Sequence, residues 1–216
     1  MNALSGAQET TQYLEFDPAQ IDRREIYRIL TGSVVPRPIG WASTVSREGV
    51  TNLAPFSFFT VVCNYPPMIS LTMSHRPDGS KKHSLRNAEE TGEFCFNVVT
   101  EDTWERMVDS ANGYPEGVSE FDATGLTPIP GVKVRAPRVK EAPIHFECKT
   151  HQVIYLGPHK HPLLIGEVVY FHVDPAVMTG KYIDMEKLHP VGRLNGFLQC
   201  KLGEFLEREF KDGMQR

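Results

Sequence analysis

The chain has 216 residues, 40% hydrophobic and 23% charged, a globular balance that excludes a disordered or fibrous protein. No apolar run approaches the ~20 residues of a membrane helix. A formal net charge of −4, with no basic tract, gives no footing for nucleic acid and suits a cytoplasmic protein with a small-molecule partner.

In chain order, MNALSGAQETTQYLEFD has neither the basic start nor the apolar core of an export signal. Residues 1–15 are expected as a disordered or extended lead, and 16–216 as a single domain. Asp17-Pro18 followed by AQIDRREIYRIL predicts a helix, with Ile21, Ile26, Ile29 and Leu30 near one face. Residues 38–46 turn through Arg47-Glu48-Gly49 into Val50-Thr51-Asn52, a hairpin signal. Residues 56–63 (FSFFTVVC) predict a strand, broken by Asn64-Tyr65-Pro66-Pro67 before alternation resumes at 68–73.

Short helices are predicted at Ser84–Glu90, closed by Gly92, and at Asp102–Ser110. Residues 93–99 alternate, with Phe94, Phe96 and Val98 on one face. Turn residues crowd 112–143, so an irregular cover over a site or partner is expected there. Residues 144–156 and 163–173 predict two long strands, and Gly166 inside the second marks a bulge or a close backbone approach. Residues 204–210 predict a charged terminal helix. Strands in close succession, with helices at the margins, argue for a mainly β barrel over a doubly wound sheet.

The common chemical signatures are missing from the sequence. It contains no phosphate-binding G-x-x-x-x-G-K-[ST], no G-x-G-x-x-G, no G-x-S-x-G and no H-E-x-x-H. The four cysteines, at 63, 95, 148 and 200, form no Cys-x-x-Cys pair; Cys95 and Cys148 are expected as small core residues on strands, without disulfides. His159-Lys160-His161 sits in a Gly/Pro turn and is expected to be solvated rather than metal-binding.

Two stretches carry chemistry. Asn52-Leu53-Ala54-Pro55-Phe56-Ser57-Phe58-Phe59 mixes amide, hydroxyl and aromatic groups, as a flat heteroaromatic ligand requires. An ordinary strand with an aromatic core face gives the same pattern. Ser80-Lys81-Lys82-His83-Ser84 places hydroxyl and ammonium groups at a helix start, where an anion such as phosphate is favoured. A surface helix would look alike. A ring at one end and a phosphate at the other describe flavin mononucleotide (FMN).

Taken together, the pieces resemble the flavin reductase-like family, the FMN-binding split barrels, in its flavoredoxin-like branch. The resemblance rests on Pro36-Arg37-Pro38-Ile39, Trp41 to Val45, Gly49, Asn52 to Phe59, Pro66-Pro67, Lys82-x-Ser84-Leu85-Arg86-Asn87 and Gly92-Glu93-Phe94-x-Phe96-Asn97. Ser119-Glu120-Phe121, Gly125 to Pro128, Glu147-Cys148, Ile165 to Val168 and Gly192-Arg193-Leu194 extend it to about Phe197.

The resemblance implies a six-stranded antiparallel split β-barrel acting as a homodimer, with one FMN per subunit near the dimer interface. It carries the ring-lining role to Ser43, Thr44, Asn52, Leu53, Ala54, Ser57 and Phe58. It carries the phosphate grip to Lys82 and Ser84, with His83 standing where the branch commonly has Asp. Arg37 and Arg193 are further candidates for the phosphate of FMN or of a nicotinamide nucleotide, against a structural salt bridge. NADH or NADPH is implied as co-substrate, with hydride passing to the flavin. A small acceptor, a monooxygenase or an electron-transfer protein would take the electrons. A flavin carrier or sensor without NAD(P)H oxidation is the competing function. No separate acid–base residue is required by this chemistry, so catalytic residues are left unassigned.

Overall fold

A computed structural model describes residues 12–115 and 117–208. The expected lead lies partly outside them; its described part, 12–15, is exposed and forms neither helix nor strand. Helix α1 spans Arg23–Ser33, and its N-cap is Asp22, whose carboxylate accepts from the Arg24 and Glu25 amides at 2.8 and 2.9 Å. The helix therefore starts five residues after the Asp17-Pro18 signal, which instead opens a turn.

Strands β1 (Gly40–Val45) and β2 (Thr51–Phe56) form the expected hairpin. The strand predicted over 56–63 is divided. β2 ends at Phe56, Ser57 and Phe58 make a bend, and β3 runs Phe59–Asn64. β4 (Pro67–Thr72) pairs with β3, α2 spans His83–Thr91, and β5 spans Glu93–Asn97. The short helices α3 (Trp104–Asp109) and α4 (Glu120–Thr124) follow, then a two-residue ladder of β6 (Pro128–Ile129) with β7 (Arg138–Val139). The 112–143 stretch is therefore more ordered than its turn residues predict. β8 (Ile144–Leu156) and β9 (His161–Val173) are the long hairpin. Residues 204–208 are not helical, and the rest of that predicted helix lies outside the described residues.

The main sheet is antiparallel and has seven strands in the order β2-β1-β5-β8-β9-β4-β3. It is mainly β with marginal helices, as predicted, but seven strands stand where the sequence predicts six. Among the described residues no ladder joins the edges β2 and β3. Those edges are consecutive in the chain, linked by Ser57-Phe58 alone, so the sheet must curl to bring them to one corner. Contacts across the interior show the curl. The Phe59 ring on β3 stacks on Phe96 of β5 with centroids 4.7 Å apart. A Cβ on Gly40 of β1 would stand 2.3 Å from Leu71 of β4. Gly166 answers its expectation in both senses. A Cβ there would lie 2.3 Å from the buried Phe94 ring, and the β8–β9 register shifts opposite it, between Thr150 and Gln152.

Alternation along β1 and β2 serves two cores, because both faces are covered. The inner face carries Ala42, Ala54 and Phe56 into a cluster with Ile69, Leu71, Phe94, Phe96 and Leu164. The outer face carries Trp41 and Leu53 against Phe121, Leu126 and Val139. α2 closes one end of the interior with Leu85 and Ala88. Gly92 ends that helix in the left-handed conformation (φ 70°), which a residue with a side chain adopts at a cost. Cys95 and Cys148 are fully buried and unbonded to each other, and burial raises both thiol pKa values, so neither is a reactive thiolate at neutral pH.

Candidate functional site

The cross-strand pair Thr44 and Asn52 stands at the end of the interior closed by α2. Asn52 is the centre of a buried polar network. Its Oδ1 accepts from Ser84 Oγ at 2.7 Å and from Thr44 Oγ1 at 3.3 Å. Its Nδ2 donates to both carboxylate oxygens of Glu120, at 2.8 Å each. Glu120 also accepts from the Leu53 amide at 2.9 Å, on the open edge of β2. Asn87 Nδ2 donates to Thr44 Oγ1 at 3.0 Å, while Asn87 Oδ1 is buried with no partner. Among the described residues nothing donates to it, and such orphaned acceptors are rare.

Lys82 lies beside this network, at the N-cap position of α2, and no side chain caps that helix. It is half-buried, with its ammonium 5.6 Å from the centre of the Phe56 ring. Burial, and then the charge of Arg76, hold its pKa below the ordinary lysine value. No carboxylate pairs with it among the described residues. The Arg76 guanidinium reaches the His83 ring, so Lys82, Arg76 and His83 gather at one corner. Ser57 and Phe58 form the bend between β2 and β3; the Ser57 hydroxyl has no partner among the described residues, and Phe58 is 44% exposed.

The structure thus brings Thr44, Asn52, Lys82 and Ser84 together, and sets Ala54 on the inner face beneath them. It separates others. Ser43 points to the opposite face of β1, where its hydroxyl meets the Pro137 carbonyl and the Asn97 amide. The period of two along a strand makes it impossible for Ser43 and Thr44 to serve one face. The Leu53 side chain is in the outer core; only its backbone amide joins the network. Arg37 is 6% exposed, and its guanidinium donates to the Thr31, Val34 and Leu194 carbonyls at 2.6, 3.0 and 2.8 Å. It clamps backbone carbonyls, which is neither the phosphate contact nor the salt bridge weighed for it. Arg193 is bridged to Arg37 through the backbone and donates to the Gly196 carbonyl.

Glu120, Asn87 and Arg76 join the site without having been singled out for it. Glu120 and Asn87 lie inside blocks that carry the family resemblance, which was the available signal; Arg76 had none.

The residues fit a flavin phosphate. An uncapped helix start, a half-buried lysine lacking a carboxylate and an adjacent guanidinium are an anion-binding donor set. The unpaired Asn87 oxygen and Ser57 hydroxyl supply hydrogen-bonding groups of the kind a flavin's polar ring edge takes. Among the described residues, no group of three or more His, Cys, Asp or Glu could hold a metal ion, and no helix is long and apolar enough to cross a membrane.

Comparison with known proteins places this architecture. The family model for the flavin reductase like domain matches residues 31–187. An uncharacterized protein of Aquifex aeolicus (strain VF5) is 38% identical over 196 residues, covering 88% of this chain and 99% of that one. The crystal structure of nitrilotriacetate monooxygenase component B from Bacillus cereus superposes with TM-score 0.88 at 36% identity, over 92% of this chain and 100% of that one. Flavoredoxin of Desulfovibrio vulgaris (Miyazaki F) does so with TM-score 0.73 at 26% identity, over 83% and 94%. The chain belongs to the flavin reductase-like family. Its mainly β fold, a curled seven-stranded sheet with few helices, is like that of flavin reductase split-barrel proteins.

Proposed function

We propose that the protein binds FMN and is an NAD(P)H:flavin oxidoreductase working as a homodimer. The observation that carries the reading is Lys82, a half-buried cation with no carboxylate partner among the described residues, at an uncapped helix start two residues before Ser84 of the buried Asn52 network. Lys82 and Arg76 hold the phosphate. The Ser57–Phe58 bend supports the ring, with the Ser57 hydroxyl and nearby backbone amides facing its polar edge.

A bound flavin would supply two-electron hydride-acceptor chemistry toward the nicotinamide, with Lys82 and Arg76 holding its phosphate. The chain's task is to hold the ring, leave one face open and stabilise negative charge on its carbonyl edge. Asn52 is fixed by Glu120, Thr44 and Ser84, so it is preorganised and loses little entropy on binding.

The homodimer is supported by the open edge strand β3. Val61 is 65% exposed, Val62 49% and the adjoining Tyr65 90%, an apolar edge that a second copy would cover. The likeness to a monooxygenase component B supports transfer of reduced flavin to a separate oxygenase. The flavoredoxin likeness supports a second reading, in which the flavin stays bound and passes electrons to a protein partner.

The test is an absorption spectrum of the purified protein, followed by anaerobic addition of NADH and then NADPH. A flavin band that bleaches is expected. A band that resists both nucleotides would leave a carrier or sensor, and no band after FMN is added would end the flavin reading.

A further inference from the structure

A cleft of about 1080 Å³ is lined by the 74–81 segment, Tyr155, the β8–β9 turn and Arg23. Three separate parts of the chain supply its charge: Arg23 at the start of α1, Arg76 and Lys81 in the 74–82 segment, and Lys160 in the β8–β9 turn. No acidic side chain lines it, although the protein is net negative. Glu89 engages Lys81 at 2.5 Å and accepts from the Tyr155 hydroxyl at 2.6 Å, which fixes the Tyr155 ring in the cleft wall. The Lys81 ammonium stands 5.7 Å from that ring's centre. Arg23, Arg76 and Lys160 have no carboxylate partner among the described residues. His75 donates through Nε2 to the Lys160 carbonyl at 3.0 Å, which ties the turn to the 74–82 segment, and its buried Nδ1 has no partner among the described residues.

Glu89 neutralises Lys81 and Asp78 lies near Arg76, which leaves Arg23 and Lys160 as cations of the concave wall that a multiply charged anion would match. An anchored aromatic ring among them offers a stacking face. Phosphate groups around a flat base meet both demands. Lys82 is not part of this wall, and Arg23, Lys160 and Tyr155 belong to the cleft and not to the corner assigned to the flavin phosphate, which shares Arg76 with it. The cleft adjoins that corner through Arg76, which reaches His83.

We propose that this cleft takes the phosphoadenosine end of NADPH, with Tyr155 against the adenine and Arg23 and Lys160 on the 2′-phosphate, so that the enzyme prefers NADPH to NADH. The inference rests on the oxidoreductase reading. A diphosphate bridge alone, as in NADH, would leave cations of the cleft unmatched; the 2′-phosphate monoester matches them. Binding there directs the nicotinamide end toward the adjoining flavin corner.

The test uses the full-length protein loaded with FMN. 2′,5′-ADP and 5′-AMP are titrated calorimetrically, and NADPH and NADH oxidation are followed in wild type, Lys160→Gln, Arg23→Gln and the conservative Lys160→Arg. The glutamine variants remove exposed charges and leave the core intact. The expected result is 2′,5′-ADP binding at least about tenfold tighter than 5′-AMP, weakened about tenfold in Lys160→Gln and retained in Lys160→Arg. KM for NADPH rises correspondingly in Lys160→Gln, with kcat, KM for NADH and FMN affinity unchanged.

A fall in FMN affinity in Lys160→Gln would assign the cleft to the flavin and overturn the proposal. So would equal binding of the two adenosine phosphates, or an NADPH KM indifferent to the variants. If 2′,5′-ADP binds and is lost in Lys160→Gln while neither nucleotide is oxidised, the phosphoadenosine site stands and the oxidoreductase reading falls.

Discussion

Replacing Lys82 by alanine separates the flavin site from the fold more sharply than any other change. In the flavin-free protein the Lys82 ammonium is half-buried without a carboxylate, so burial costs energy that only its position over Phe56 offsets, at about 0.5–1 kcal/mol. The two effects oppose, and Lys82→Ala should shift the apo urea midpoint by no more than about 0.5 kcal/mol of stability. With FMN bound the same ammonium makes a charge-assisted contact to phosphate, worth about 1.5–3 kcal/mol. That corresponds to FMN binding weakened about 10- to 150-fold.

The assay is titration of flavin fluorescence with FMN and, in parallel, riboflavin, which has the ring and no phosphate. Lys82→Met keeps the side-chain stem over Phe56 and should behave as Lys82→Ala does. The loss should appear for FMN and leave riboflavin within about twofold, below one charge-assisted bond. Equal losses for both ligands would mean that Lys82 supports the ring or the fold. Unchanged FMN affinity would remove it from the site. The sign with pH follows from the lowered pKa. The unfolded chain holds the proton to higher pH, so wild-type apo stability rises relative to Lys82→Ala as pH climbs through the folded pKa toward the unfolded value.

Three further outcomes follow from packing and charge. Asn52→Asp sets a second carboxylate against Glu120 across the present 2.8 Å contacts, so it should destabilise by about 3–5 kcal/mol at pH 7, with the deficit shrinking toward pH 5 in urea melts. Gly166→Ala drives a methyl into the Phe94 ring at 2.3 Å and should cost about 1–3 kcal/mol; Phe94→Leu in the same chain should return part of it, and additive losses would refute the clash. Burial lowers the His145 pKa to about 4, since its ring is enclosed and only Nε2 donates, to the Val139 carbonyl at 2.8 Å. Its NMR titration should therefore show a neutral ring down to about pH 5, and stability attributable to it should fall below the unfolded histidine value near ~6.5, as the unfolded chain takes up the proton.

Local chemistry determined much of this protein. Alternation located β4 and β5, and the strand character of 144–156 and 163–173 located β8 and β9. Gly166 announced a close approach because only a residue without Cβ fits against Phe94. The 36–59 and 82–97 blocks carried the family resemblance that the comparisons then showed. What tertiary structure alone decided was mostly long-range.

FSFFTVVC has uniform strand character, yet it is cut at Ser57-Phe58 because the two edges of the curled sheet meet there. The Asp17-Pro18 signal opens a turn, in which the Asp17 carboxylate accepts from the Ala19 amide, while α1 itself is capped by Asp22, whose carboxylate accepts from the Arg24 and Glu25 amides. Ser43 and Thr44 are adjacent in sequence, but the pleat sends one under residue 137 and the other to Asn52. Glu120 reaches Asn52 across 68 residues of chain, an arrangement with no local signature. The basic cleft is the clearest case. Its cations at 23, 76, 81 and 160 are dispersed in a sequence of net negative charge, and only the packing of α1, the 74–82 segment and the β8–β9 turn concentrates them.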